Sequence, residues 1–120
     1  MDIILGLLKP KSGEILIDNI KCDLNNLNWH KKIGYVPQSV YLLEDTIVKN
    51  VALGKDINEI DHDRLDEVLK LSNLTDLIDI SPKGKETNIG EMGQKLSLGQ
   101  RQRLGIARAL YDNPEILIFD

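Results

Sequence analysis

The sequence predicts an α/β unit whose sheet is incomplete, on three observations. Strand-like apolar runs stand at Ile33 to Pro37 and at Glu115 to Asp120, each ending on a residue that stops a strand. Between them apolar residues recur at helical spacing. Proline and glycine punctuate the boundaries, so strands near the ends flank helices in the middle, the order expected of a mixed α/β unit.

Taken in order, Asp2 to Leu8 is compatible with helix and stops at Lys9-Pro10-Lys11-Ser12-Gly13, a break no helix should cross. Glu14 to Asp18 sets Ile15 and Ile17 around Leu16 and reads as a short strand, with Asn19 as its turn. Leu24 to Lys32 predicts a short helix with Leu24, Leu27 and Lys31 on helical spacing and Asp23 as N-cap. Ile33 to Pro37 is a buried strand. Thr46 to Leu53 predicts a helix with Ile47, Val48 and Val51 inward and Gly54 as its stop. Asp61 to Leu71 is amphipathic through Leu65, Val68, Leu69 and Leu71, and acids in its first turn suit the helix dipole. Leu74 to Ile80 forms another short helix, and Ser81 to Lys95, with Pro82, Gly84, Gly90 and Gly93, is a loop. Ser97 to Tyr111 is a long helix, and Pro114 separates it from the last strand.

Composition narrows the function classes. Apolar residues make up 42% and charged residues 28%, ordinary for a globular unit and against disorder. Fifteen basic against nineteen acidic side chains give a net charge of −4, the opposite of a nucleic-acid footprint. The five aromatics are too scattered for base stacking. Cys22 is the single cysteine, which excludes an internal disulfide and fits a reducing compartment. The apolar run Ile3 to Leu8 is far shorter than the about 20 residues of a membrane span, and no basic region precedes it as in a signal peptide.

Three places could carry chemistry. Asp120 ends an apolar strand, which presents a carboxylate where parallel sheets bind ligands and makes it a candidate magnesium residue; aspartate there is equally an ordinary turn or cap. Ser97, followed by Leu98, Gly99 and Gln100, opens a helix whose amides and serine hydroxyl suit an anion, with Gly99 permitting close approach; an ordinary serine cap has the same pattern. Gln38 follows Pro37 directly and places an amide near a metal, water or partner, or simply sits in a turn.

Tyr35-Val36-Pro37-Gln38, then LSLGQRQRLGIAR over 96–108, then ILIFD over 116–120 together resemble the nucleotide-binding domain of ATP-binding-cassette (ABC) transporters. They match its Q-loop, signature motif and Walker B strand in order, and LGLLKPKSG over 5–13 resembles the end of its phosphate-loop helix. The resemblance implies a partial P-loop NTPase-type ABC ATPase domain with a helical subdomain. Residues 1–40 would be part of the core sheet, 41–96 the helical subdomain, and 97–120 the signature helix and Walker B strand. Gln38 would sense magnesium and line the groove for the membrane domain. Ser97, Leu98, Gly99 and Gln100 would meet the γ-phosphate of ATP held by the opposite subunit, and Asp120 would lie near Mg2+. TNIGEMG over 87–93 is similar to the loop of the exporter branch, where Glu91 would pass motion to the membrane helices. ATP and Mg2+ are the implied cofactors. The implied partners are a second nucleotide-binding domain, head to tail, and a transmembrane domain, with no nucleic acid, at the cytoplasmic face of the cell membrane. The implied activity is ATP hydrolysis coupled to export or lipid flipping.

The sequence departs from that pattern at three points. G-x-x-x-x-G-K-[ST] and its phosphate-reaching lysine are absent, for Gly6 with Lys11-Ser12 lacks the second glycine. In the family a glutamate follows the Walker B aspartate, whereas the 120 residues stop at Asp120, and His30 and His62 do not stand where the family's switch histidine lies. Leu98 replaces the usual signature glycine. These points lead to the expectation of a segment that starts after the phosphate loop, stops before the catalytic base and hydrolyses negligible ATP alone. Two alternatives stay open here: an inactive truncated fragment or interaction module, and a soluble family member in DNA repair or translation.

Overall fold

The computed structural model describes residues 1–24, 26–90 and 96–120. Strands β1 (Leu16–Ile17) and β2 (Ile20–Lys21) form an antiparallel hairpin, and β3 (Ile33–Val36) pairs in parallel with β4 (Ile116–Phe119). Between β3 and β4 run α2 (Ile47–Val51), α3 (His62–Leu71), α4 (Thr75–Ile80) and α5 (Leu98–Tyr111); α1 (Leu27–Lys31) precedes β3. The parallel pair with a helical crossover is the α/β arrangement the sequence predicts.

Several ends differ from the sequence reading. Residues 2–8 form turns rather than a regular helix, because Gly6 sits at φ 74° and breaks the hydrogen-bond ladder. Asp18 and Asn19 both take left-handed backbone, φ 51° and 63°, which closes a two-residue hairpin and adds the unforeseen β2. Helix α1 starts at Leu27, capped by the Asn26 side chain on the Asn28 amide at 2.9 Å instead of by Asp23. Its buried member is Trp29, whose Nε1 donates to the Ile4 carbonyl at 2.8 Å, while Leu27 faces solvent. In α3, Asp61 caps the helix, and Leu65, Val68 and Leu69 are buried as predicted. Leu71 is exposed, since two residues past Leu69 is the far side of the cylinder. Within the loop after α4, Gly84–Glu86 makes one 3-10 turn. Thr46 and Asn88 form an antiparallel bridge, with the Ile47 amide donating to Thr87 at 3.2 Å and the Ile89 amide to Asp45 at 3.1 Å.

The core lies among the helices. Leu42, Ile47, Val51, Leu65, Val68, Leu69, Leu74, Ile89 and Leu104 are essentially sealed. Asn50 is buried with them at 0% exposure and acts as an internal splint. Its Oδ1 accepts from the Leu43 amide at 2.8 Å, and its Nδ2 donates to the Leu43 and Thr46 carbonyls at 3.1 and 2.9 Å. An amide side chain accepts through its oxygen and donates twice through its nitrogen without carrying charge, which suits this dry place.

Helix α5 packs against β3, α2 and α3. It comes close enough to β3 that a Cβ on Gly34 would stand 2.5 Å from the Ala109 carbonyl oxygen and 2.9 Å from Pro114 Cγ. Gly34→Ala is therefore expected to destabilise the protein by about 1–3 kcal/mol, read from urea unfolding midpoints. Asn50→Ala strands buried backbone donors and acceptors and is expected to cost about 2–3 kcal/mol by the same measurement, although it removes little apolar area.

Candidate functional site

Parallel pairing aligns Ile33 with Ile116, Gly34 with Leu117, Tyr35 with Ile118 and Val36 with Phe119. Both strands therefore run out at one edge. The Asp120 amide adds one more rung, donating to the Val36 carbonyl at 3.1 Å, and Pro37, lacking an N–H, releases the chain to Gln38. Gln38 and Asp120 thus leave the C-terminal edge side by side and exposed, the position where parallel sheets bind ligands. At the opposite edge Lys32 closes the pair: its carbonyl accepts from Glu115 and Ile116, and its ammonium meets Glu115 at 2.8 Å. That hydrogen-bonded partner raises the Lys32 pKa.

The Tyr35 hydroxyl donates to Asp120 Oδ2 at 2.9 Å. The same carboxylate, by accepting this bond and by its charge, holds the Tyr35 pKa above the ordinary phenol range. Asp120 Oδ1 makes no hydrogen bond or ion pair among the described residues. No group of three His, Cys, Asp or Glu side chains among them could hold a metal alone. A single outward carboxylate suits magnesium, which binds through one or two carboxylates and takes its other ligands from water and phosphate. The residues present fit that ion.

The second cluster is the start of α5. Ser97, extended at φ −65° and ψ 161°, caps the helix: its Oγ accepts from the Gln100 amide at 3.2 Å, while Gln100 Oε1 accepts from the Ser97 amide at 2.8 Å. This reciprocal box occupies a lone pair of the serine and leaves its hydroxyl hydrogen free to donate. The amides of Leu98 and Gly99 have no partner inside the helix, so an anion meets donors and the positive end of the helix dipole. A Cβ on Gly99 would meet nothing within 4 Å, and its φ is not left-handed, so this chain's own packing does not demand glycine there. Leu98, 70% exposed, projects at the same tip. Neither Arg101 nor Arg103 is directed at it. Arg101 Nε donates to the Leu96 carbonyl at 3.4 Å, and Arg103 Nη1 to the Asn73 carbonyl at 3.1 Å.

Among the described residues no hydrogen bond or ion pair joins Ser97, Leu98, Gly99 or Gln100 to Gln38 or Asp120. The predicted residues therefore fall into two groups. What ties the groups is the body of α5. Gly105 lets the helix lie against Val40, two residues past Gln38, where a Cβ would stand 2.5 Å from Val40 Cγ2. Arg108 donates to the Asn50 and Tyr41 carbonyls, each at 2.8 Å, and burial lowers its pKa. Arg64 reaches from α3 to the Leu110 and Tyr111 carbonyls at the helix's C-terminal end, and Tyr111 accepts from the Asp61 amide at 2.8 Å. Sequence reasoning missed Tyr35, Asn50, Arg64 and Arg108, because each acts on a partner whose nearness only the fold creates. Glu91 lies outside the described residues; its loop is described through Gly90.

Comparison with known proteins follows the same lines. The ABC transporter family model matches residues 1–120. The ATP-dependent lipid A-core flippase of Ralstonia nicotianae is 44% identical over 122 residues, covering 100% of this chain and 21% of that protein. The Bordetella avium protein of that name is 45% identical over 114 residues, with 92% and 19% covered. That of Francisella novicida is 43% identical over 121 residues, with 98% and 20% covered. The structure of a bacterial Atm1-family ABC exporter with ATP bound superposes with a TM-score of 0.85 at 35% identity, over 99% of this chain and 21% of that one. The chain spans about a fifth of the length of these relatives. Its motifs, the edge they build and the match along its whole length agree: the chain belongs to the ABC transporter family.

Proposed function

We propose that these residues serve in the ATP-driven engine of a membrane exporter, in which ATP and Mg2+ are held between two nucleotide-binding domains arranged head to tail. The observation that carries this reading is the shared exit of Gln38 and Asp120 from one sheet edge in a chain the family matches from 1 to 120. The flippase relatives suggest an amphiphilic lipid as cargo. In this reading 1–40 contribute to the core sheet, 41–96 form the helical subdomain beside the transmembrane partner, and 97–120 supply the signature helix and Walker B strand. The engine works at the cytoplasmic face of the membrane. No helix among the described residues is long and apolar enough to cross a membrane.

Each cluster has a distinct task. Asp120 offers carboxylate oxygen to Mg2+, and the Gln38 amide adds a neutral ligand or orients a water beside it. Bound magnesium neutralises phosphate charge as it develops during transfer. Ser97 gives its free hydroxyl hydrogen, and Leu98 and Gly99 their amides, to the terminal phosphate of a nucleotide held by the other domain. Gln100, engaged in the cap, keeps those donors aimed. Glu91 belongs to the contact with the transmembrane domain.

ATP hydrolysis by the full-length protein in lipid nanodiscs tests this. Asp120→Asn is expected to lower turnover about a hundredfold or more while thermal stability stays near that of the parent. Undiminished turnover would sink the magnesium assignment. Ser97→Arg, which puts bulk and charge where phosphate should dock, is expected to lower turnover comparably and to abolish ATP-induced association of the two domains, followed by cross-linking.

A further inference from the structure

Asp120 is exposed, and an aspartate past the end of a strand ordinarily turns freely between rotamers. Here it does not stand alone. Side chains of a strand alternate between its faces, so Tyr35, its register partner Ile118 and Asp120 share one face of the β3–β4 pair. Asp120 lies two residues further along that face. The phenol is long enough to lean along the strand and meet it, and the Tyr35 hydroxyl donates to Oδ2 at 2.9 Å across 85 residues of sequence. The last ladder rung, from the Asp120 amide to the Val36 carbonyl at 3.1 Å, holds the backbone beneath the carboxylate. Two separate bonds therefore set where the carboxylate sits and which oxygen it presents.

We propose that the Tyr35 hydroxyl is a positioning residue for the cation site: by holding Oδ2 it leaves Oδ1 as the oxygen offered to a divalent ion. This rests on the reading of Asp120 as a magnesium carboxylate. A partner that restrains a ligating carboxylate saves the ordering of that side chain when the ion arrives. Loss of such an outer partner typically costs about 10- to 100-fold in metal affinity or activity. Tyrosine meets the need where phenylalanine cannot, since only the hydroxyl reaches the carboxylate.

The test is Mn2+ binding to the full-length protein with a non-hydrolysable ATP analogue, counted by electron paramagnetic resonance, in the parent, Tyr35→Phe, Asp120→Asn and the double variant. Nucleotide affinity in EDTA serves as the metal-free control. Tyr35→Phe is expected to weaken Mn2+ binding about tenfold, to leave the affinity in EDTA unchanged, and to add nothing to the loss in Asp120→Asn. Parent-like Mn2+ affinity in Tyr35→Phe, with a loss in Asp120→Asn, would overturn the role of Tyr35 and keep the carboxylate assignment. Parent-like affinity in Asp120→Asn would overturn both. An equal loss with and without metal would make Tyr35 a packing residue and overturn the inference, and so would additive losses in the double variant.

Discussion

The close seating of α5 sets the positions of β3, α2 and α3 around it. Gly34 admits the helix's C-terminal end to within touching distance of β3, and Gly105 admits its middle to Val40. A side chain at either place would push the helix away. Arg108 then fastens it to the Tyr41 and Asn50 carbonyls, and Arg64 closes its last turn. One rigid rod thereby carries the Ser97 cap at one end and leads into β4 and Asp120 at the other. The chain just after Gln38 is held against its side.

Arg108 binds carbonyls where a carboxylate could have served. Among the described residues it has no ion-pair partner; half-burial of the guanidinium lowers its pKa, and its planar fork donates to several oxygens at once. Asn50 makes this workable. It is sealed in the core, ties the Leu43 backbone to α2, and presents its own carbonyl to Arg108. The join between α2, the segment after Gln38 and α5 is therefore polar and directional, running from the sealed Asn50 side chain out to the surface at Tyr41. Such a join specifies one seating where apolar packing alone tolerates slippage.

The two clusters of predicted site residues differ in charge. The α5 tip offers neutral donors and a helix dipole, with both nearby arginines turned to carbonyls, whereas the sheet edge offers a carboxylate and an amide. The first suits phosphate oxygen and the second a hard cation. The concavities beside Trp29 and Cys22 and between Arg64 and Asp112 contain none of these residues.

Local chemistry was legible in part, with Ser97 read as a cap and Asp61 and Thr46 only as helix starts. Asp61, Thr46 and Ser97 cap the helices they precede, because a side-chain oxygen three residues ahead of a free amide needs no tertiary help. The buried stripe of α3, the extent of α5 and the runs of β3 and β4 were legible from local pattern as well. The family motifs were legible too, since they are strings of neighbours. Short-range signals misled at residues 2–8 and at the start of α1, where a glycine at positive φ and an asparagine cap outweighed spacing. They were silent on β2 and the Thr46–Asn88 bridge, which are too short to show alternation. What only the tertiary structure decided is which distant groups meet: Tyr35 with Asp120, Arg108 with Asn50, Gly34 with Ala109. The sequence by itself determined most of the helices, the runs of β3 and β4 and the family motifs. Their pairing depended on the register of β3 against β4 and the depth to which α5 sinks, and both are settled by contacts among residues far apart in the chain.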